Sequence, residues 1–207
     1  MVRILCFGDS NTWGTIPDGT CRHCDITKAY PYFLQENLGD NYQVICEGLP
    51  SRTTDLDDIK FPKGNRNGAI FFPQCLISHD PIDYVILLLG TNDLKSKFNR
   101  SVEQVADAIE EKYIKFTFEN LVSVLTKTPK FIIIAPSVID DTKFDGYEGA
   151  TKKSQLFNSV FKKMATKNKC AFISNEKLEC GADGIHLTTK SHKYLAEELK
   201  NTIKKEF

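Results

Sequence analysis

Five short apolar runs punctuate the chain, and longer stretches with apolar residues every three or four positions separate them. The runs cover residues 3–7, 42–46, 83–89, 130–135 and 170–173, and glycine or proline follows four of them at once or within two residues. Runs that are apolar on both faces suit a parallel sheet covered by helices on either side. Between them, Val102, Val105, Ala106, Ile109, Tyr113 and Phe116 recur at helical spacing behind a Ser101/Gln104 capping-box pair. Leu156, Val160 and Met164 predict a second helix. Leu195, Leu199 and Ile203, after Thr188-Thr189 and with lysines near the end, predict a last one. The β-α-β alternation predicts an open, doubly wound α/β fold with a five-stranded parallel sheet, as one domain over residues 1–207. Right-handed crossovers would put every strand's C-terminal end on one edge, where sites in such folds lie. Residues 11–27, 61–73 and 140–149 read as loops on that edge.

Charge and cysteine content narrow the class. Lys plus Arg equals Asp plus Glu at 27 each, and this balance argues against a nucleic-acid partner. No apolar run approaches a membrane span, so no membrane partner is expected. The seven cysteines are odd in number and scattered, which suits reduced thiols and a cytoplasmic protein. The N-terminus runs straight into a motif and leaves no room for a signal peptide.

Three motifs carry candidate chemistry: Gly8-Asp9-Ser10 after the first run, Gly90-Thr91-Asn92-Asp93 after the third, and Asp183-Gly184-Ile185-His186 before the last helix. The predicted topology brings all three to the same sheet edge. A serine hydroxyl is a poor nucleophile at neutral pH and needs a base within hydrogen-bond reach. An imidazole, with an unperturbed pKa of about 6.5, suits that task, and a carboxylate three residues earlier can fix its tautomer. Ser10, His186 and Asp183 are therefore the candidate catalytic residues. Backbone N–H groups of Ser10 and Gly48 and the side-chain amide of Asn92 are candidate oxyanion donors. Taken singly, Ser10 could be a helix N-cap and Asp183 a turn residue.

The blocks Phe7-Gly8-Asp9-Ser10-Asn11-Thr12-Trp13-Gly14, Glu47-Gly48-Leu49 with Arg52-Thr53-Thr54, Gly90-Thr91-Asn92-Asp93 and Asp183-Gly184-Ile185-His186-Leu187 resemble those of SGNH (GDSL-like) hydrolases. The likeness spans nearly the whole chain and is greatest to the arylesterase/acyltransferase branch. It implies a flavodoxin-like α/β/α sandwich, with Ser10, Gly48, Asn92 and His186 as the four named positions, Asp183 as third triad member, and no cofactor. It also suggests self-association into a homo-oligomer.

Other residues admit two readings. Asn11, Trp13, Arg52, Phe61 and Tyr147 are candidate substrate contacts, but aromatic residues in such numbers are more often core, and Arg52 could simply pin its loop. Cys21 and Cys24 have a CxxC spacing that could hold zinc or act as a redox pair, yet no second pair follows and no metal is expected. Asp9 and Asp93 read as loop anchors, His79 as a surface turn, and His192 as a residue packed at the site edge outside the chemistry. The expected activity is hydrolysis of small acyl esters through an acyl-enzyme, with acyl transfer to an alcohol as a competing outcome. A carbohydrate O-acetylesterase is the alternative within the enzyme class, and a degenerate small-molecule or carbohydrate binding module is the alternative outside it.

Overall fold

The computed structural model describes residues 1–18, 24–58 and 64–205. Its five strands are β1 (Val2–Gly8), β2 (Tyr42–Gly48), β3 (Tyr84–Leu88), β4 (Lys130–Ile134) and β5 (Ala171–Ile173). All pair in parallel, in the order β2-β1-β3-β4-β5. Each coincides with a predicted run to within two residues. The unbroken burial of β3 explains why that run is the most apolar in the chain.

Among the described residues, seven α-helical segments accompany the sheet: α1 (Ser10–Trp13), α2 (Tyr30–Leu38), α3 (Gly68–Ser78), α4 (Val102–Ile109), α5 (Ala150–Ser154), α6 (Phe157–Lys167) and α7 (Thr189–Lys205). On one face, Tyr30, Leu34, Leu195 and Leu199 of α2 and α7 pack on Ile4, Cys6, Ile86 and Leu88. On the other, Phe72, Val105, Ile109, Phe157 and Phe161 of α3, α4 and α6 pack on Leu5, Phe7, Val85 and Leu87. The alternate residues of each strand thus feed two separate cores, and the result is the three-layer α/β/α sandwich. No helix among the described residues is long and apolar enough to cross a membrane.

The structure corrects several sequence expectations. The second half of the 61–73 stretch is α3, not loop: Asn67 caps its start by accepting from the Ala69 N–H, and Phe72 and Leu76 bury one face. That burial outweighs the hydrogen bond lost at Pro73 inside the helix. Helix α2 lies in a stretch given no element, and its Pro31 stands in the first turn, where a missing N–H is tolerated. In α6 the buried face is Phe157, Phe161, Met164 and Ala165; of the expected stripe only Met164 is buried, Val160 is half-buried, and Leu156 precedes the helix and stays exposed. The Ser101/Gln104 capping box is present. Beyond Ile109 the predicted helix continues as wider π-type turns, Glu110–Lys115 and Thr117–Leu121.

Candidate active site

β1 leaves the sheet at Gly8, and the next residues turn at once into α1. Asp9 is its N-cap, with Oδ1 accepting from the Asn11 N–H at 2.9 Å, so Ser10 is the first helical residue and not the cap. The turn before α7 is shaped by Asp183, whose Oδ1 accepts from the N–H groups of Ile185 (3.0 Å) and His186 (2.9 Å). Gly184 adopts a φ of 73° there and abuts Asp140, where an added Cβ would meet the Asp140 carbonyl at 2.6 Å.

Three side chains then form a buried row. His186 Nε2 lies 2.9 Å from Ser10 Oγ, and His186 Nδ1 lies 2.6 Å from Asp183 Oδ2. With the Asp183 carboxylate on Nδ1, that nitrogen carries the proton and Nε2 accepts from the serine hydroxyl. Burial works to raise the Asp183 pKa, but hydrogen bonds from the His186 ring and from two backbone N–H groups outweigh it and hold the carboxyl below its ordinary value. Asn11 ties the two loops together: its Oδ1 accepts from the Leu187 N–H at 2.8 Å and its Nδ2 donates to the Ile185 carbonyl at 3.4 Å.

Ser10 and His186 face a cavity of about 240 Å³, lined also by Thr15, Pro50, Ser51, Asn92, Lys95, Phe144, Tyr147 and Ile185. Asn92 is held at both ends of its amide: Nδ2 donates to the Arg52 carbonyl at 3.1 Å and Oδ1 accepts from the Tyr147 hydroxyl at 3.0 Å. One amide hydrogen of Asn92 is left for the cavity.

Several candidates fall elsewhere. Gly48 does not line the cavity. It sits where β2 meets α1, and an added Cβ would overlap the Trp13 backbone nitrogen. Ser51, three residues on, does line it, with a left-handed φ of 66°, and its N–H makes no hydrogen bond among the described residues. Arg52 is buried, donates to the Gly8 and Glu47 carbonyls, and lies over the Phe7 ring 4.0 Å from its centroid, so it pins its loop. Trp13 and Asn11 are likewise outside the lining, whereas Tyr147 is part of it. Phe61 and Cys21 fall outside the described residues, and Cys24 is an exposed free thiol.

The flanking polar residues have structural partners. Asp93 accepts from the Thr54 N–H and hydroxyl and from Arg100 at 3.1 Å. His79 is more than a surface turn, because its Nε2 meets Glu47 Oε1 at 2.9 Å. His192 is buried and its Nδ1 accepts from the Tyr30 N–H at 3.2 Å. Thr15, Pro50, Ser51, Lys95, Phe144 and Ile185 are the cavity residues that sequence reasoning missed. Ser51 stands directly before Arg52 and Lys95 two residues after Asp93, and that proximity to recognised blocks was the available signal.

Comparison with known proteins identifies the family and matches the fold. The GDSL-like lipase/acylhydrolase family model matches residues 6–194. Among solved structures, a carbohydrate acetylesterase from Sinorhizobium meliloti is 31% identical with a TM-score of 0.89, and the match covers 100% of both chains. The M. smegmatis aryl esterase is 30% identical over 99% of each chain, also at 0.89. A further carbohydrate acetylesterase family member from S. meliloti is 27% identical over 98% of this chain and 97% of its own, at 0.88. No curated protein matches the chain in sequence. The chain belongs to the GDSL-like lipase/acylhydrolase family, whose members are carboxylic ester hydrolases.

Proposed function

We propose that the protein is a serine esterase for small acyl esters, working through an acyl-enzyme on Ser10. The observation that carries this reading is the buried Ser10–His186–Asp183 row opening on the cavity. Ser10 Oγ attacks the ester carbonyl carbon as His186 Nε2 takes its proton. Asp183 stabilises the imidazolium that forms. The carbonyl oxygen, now negative, accepts from the Asn92 amide and from backbone N–H groups. Ser51 fits the second donor better than Gly48, since it lines the cavity with an N–H left free. Collapse of the tetrahedral intermediate expels the alcohol, protonated by His186. Water, or a competing alcohol, then releases the acyl group by the same steps. A cavity of 240 Å³ is smaller than the roughly 300–1,000 Å³ of drug-sized ligand sites, which favours acetyl and short acyl chains.

Hydrolysis of p-nitrophenyl acetate by the wild type and by Ser10→Ala and His186→Ala tests the reading. Turnover in the wild type alone, with a serine-directed phosphonate labelling Ser10, is the expected result. Equal turnover in all three would remove it, and so would wild-type binding of sugar esters with no labelling, the behaviour of a binding module. The likeness to carbohydrate acetylesterases supports a second reading, O-deacetylation of a sugar. Acetylated xylose turned over faster than p-nitrophenyl acetate would select it. The free thiols of the described cysteines fit a reducing, cytoplasmic setting.

A further inference from the structure

Among the described residues, one ammonium group, that of Lys95, enters the otherwise mainly apolar cavity. Lys95 follows Asn92 by three residues and lines the cavity together with Ser10 and His186. Its side chain is only 17% exposed, and its acidic neighbour, Asp58 Oδ2, stands 3.8 Å away, beyond hydrogen-bonding distance. That carboxylate is already engaged: its other oxygen meets Lys97 Nζ at 2.5 Å. Two ammonium groups therefore share one carboxylate, and the Lys95 ion pair with Asp58 leaves its three donors without a hydrogen-bond partner among the described residues. The other acids within electrical reach are Asp9 and Asp93. Asp9 accepts from the Asn11 N–H beneath α1, and Asp93 is bound by Thr54 and Arg100. Burial holds the Lys95 pKa below its ordinary value, as expected of an ammonium short of partners. A half-buried cation with free donors, beside a nucleophile in a low-dielectric cavity, gains most from an anion brought in by a ligand.

We propose that Lys95 sets substrate choice by binding a second, negatively charged group, a carboxylate, on the ester that Ser10 attacks. The inference rests on the esterase reading and adds the substrate class: acidic esters in preference to neutral ones of the same size. The carboxylate can sit on the acyl side or on the alcohol side of the scissile bond. Two matched pairs separate these: mono-p-nitrophenyl glutarate against p-nitrophenyl hexanoate, and 4-acetoxybenzoate against 4-acetoxytoluene. For each pair the readout is the ratio of kcat/KM, acidic over neutral, after subtraction of spontaneous hydrolysis.

In Lys95→Met this ratio should fall about tenfold in at least one pair, the size of one charge-assisted hydrogen bond. Lys95→Arg should restore most of it, and the wild-type ratio should drop as salt rises while that of Lys95→Met stays flat. The pair that responds identifies the side bearing the carboxylate. Unchanged ratios in both pairs, from a Lys95→Met protein that melts like the wild type, would overturn the proposal and leave the esterase reading standing. Absence of Ser10-dependent turnover of either neutral ester would remove both.

Discussion

The Tyr147 hydroxyl donates to Asn92 Oδ1 at 3.0 Å, and this bond decides which end of the Asn92 amide the cavity meets. With Oδ1 engaged and one hydrogen of Nδ2 on the Arg52 carbonyl, Asn92 can only donate towards Ser10. Tyr147→Phe should therefore lower kcat about tenfold with KM little changed, because the donor loses its orientation, not its place. Asn92→Ala should cost about 100- to 1,000-fold in kcat. Steady-state kinetics on p-nitrophenyl acetate check both, and a Tyr147→Phe loss confined to KM would contradict the orienting role.

Gly48 offers a test of packing against chemistry. An added Cβ there would overlap the Trp13 backbone nitrogen, so Gly48→Ala should destabilise the fold by roughly 1–3 kcal/mol. Urea unfolding measures the loss. If a stable Gly48→Ala protein instead lost its turnover, the glycine would belong to the oxyanion site after all.

Ser51 carries the converse prediction. Its φ of 66° suits glycine, so Ser51→Gly should retain turnover and stability. Ser51→Val, β-branched in the left-handed region, should lose about 1–2 kcal/mol and, by displacing the N–H, reduce kcat. Parallel melts and kinetics on the two variants distinguish backbone conformation from side-chain chemistry.

Buried titratable groups set the acid side of stability. Burial pushes His192 down to about 4, with the His186 charge a smaller influence, and the Tyr30 N–H directed at Nδ1 leaves no room for a second proton. The unfolded state then binds the extra proton first. The contribution of His192 is complete above pH 6.5 and is lost as pH falls towards 4. Asp9 and Asp93 act in the opposite sense: burial raises both to about 6, so their contribution is complete below 3.8 and lost as pH rises through 6. His192→Gln should thus reduce the stability lost between pH 7.5 and 4.5 by up to about 3 kcal/mol. Denaturant melts at the two pH values check it, and an unchanged difference would refute the assignment.

What was legible in the sequence follows from physical period and chemistry. The central strands β1, β3 and β4 stood out because burial on two faces leaves polar residues only at the start of each run. The Ser10, Asn92 and His186 motifs were readable because each lies next to a strand end or a helix start. Helix α3 was hidden by Pro73 and a Gly/Asn-rich lead, with only Phe72 and Leu76 fully buried to reveal it. The cavity lining was harder still. Phe144 and Tyr147 come from a loop whose path is fixed by contacts such as the Asp140 N–H to the Gly184 carbonyl, 2.9 Å, a pairing with no local sequence signature. Nor does any local rule distinguish Arg52, turned inward over Phe7, from Lys95, turned to the cavity.

The Asn11 clamp has a consequence for how the enzyme is made. Nucleophile and base are 176 positions apart, and the clamp holds the two loops in register from the residue beside Ser10 to those on either side of His186. On a ribosome the serine emerges well ahead of the histidine, and strands β1 to β4 can collapse around it before residue 186 leaves the tunnel. Through that interval the hydroxyl of Ser10 lacks its His186 partner. Only when the last stretch before α7 docks does the side chain of Asn11 close on both sides of the histidine. Under the proposed mechanism, turnover therefore waits for residues 183–187, and a nascent chain that stops short of them is chemically silent.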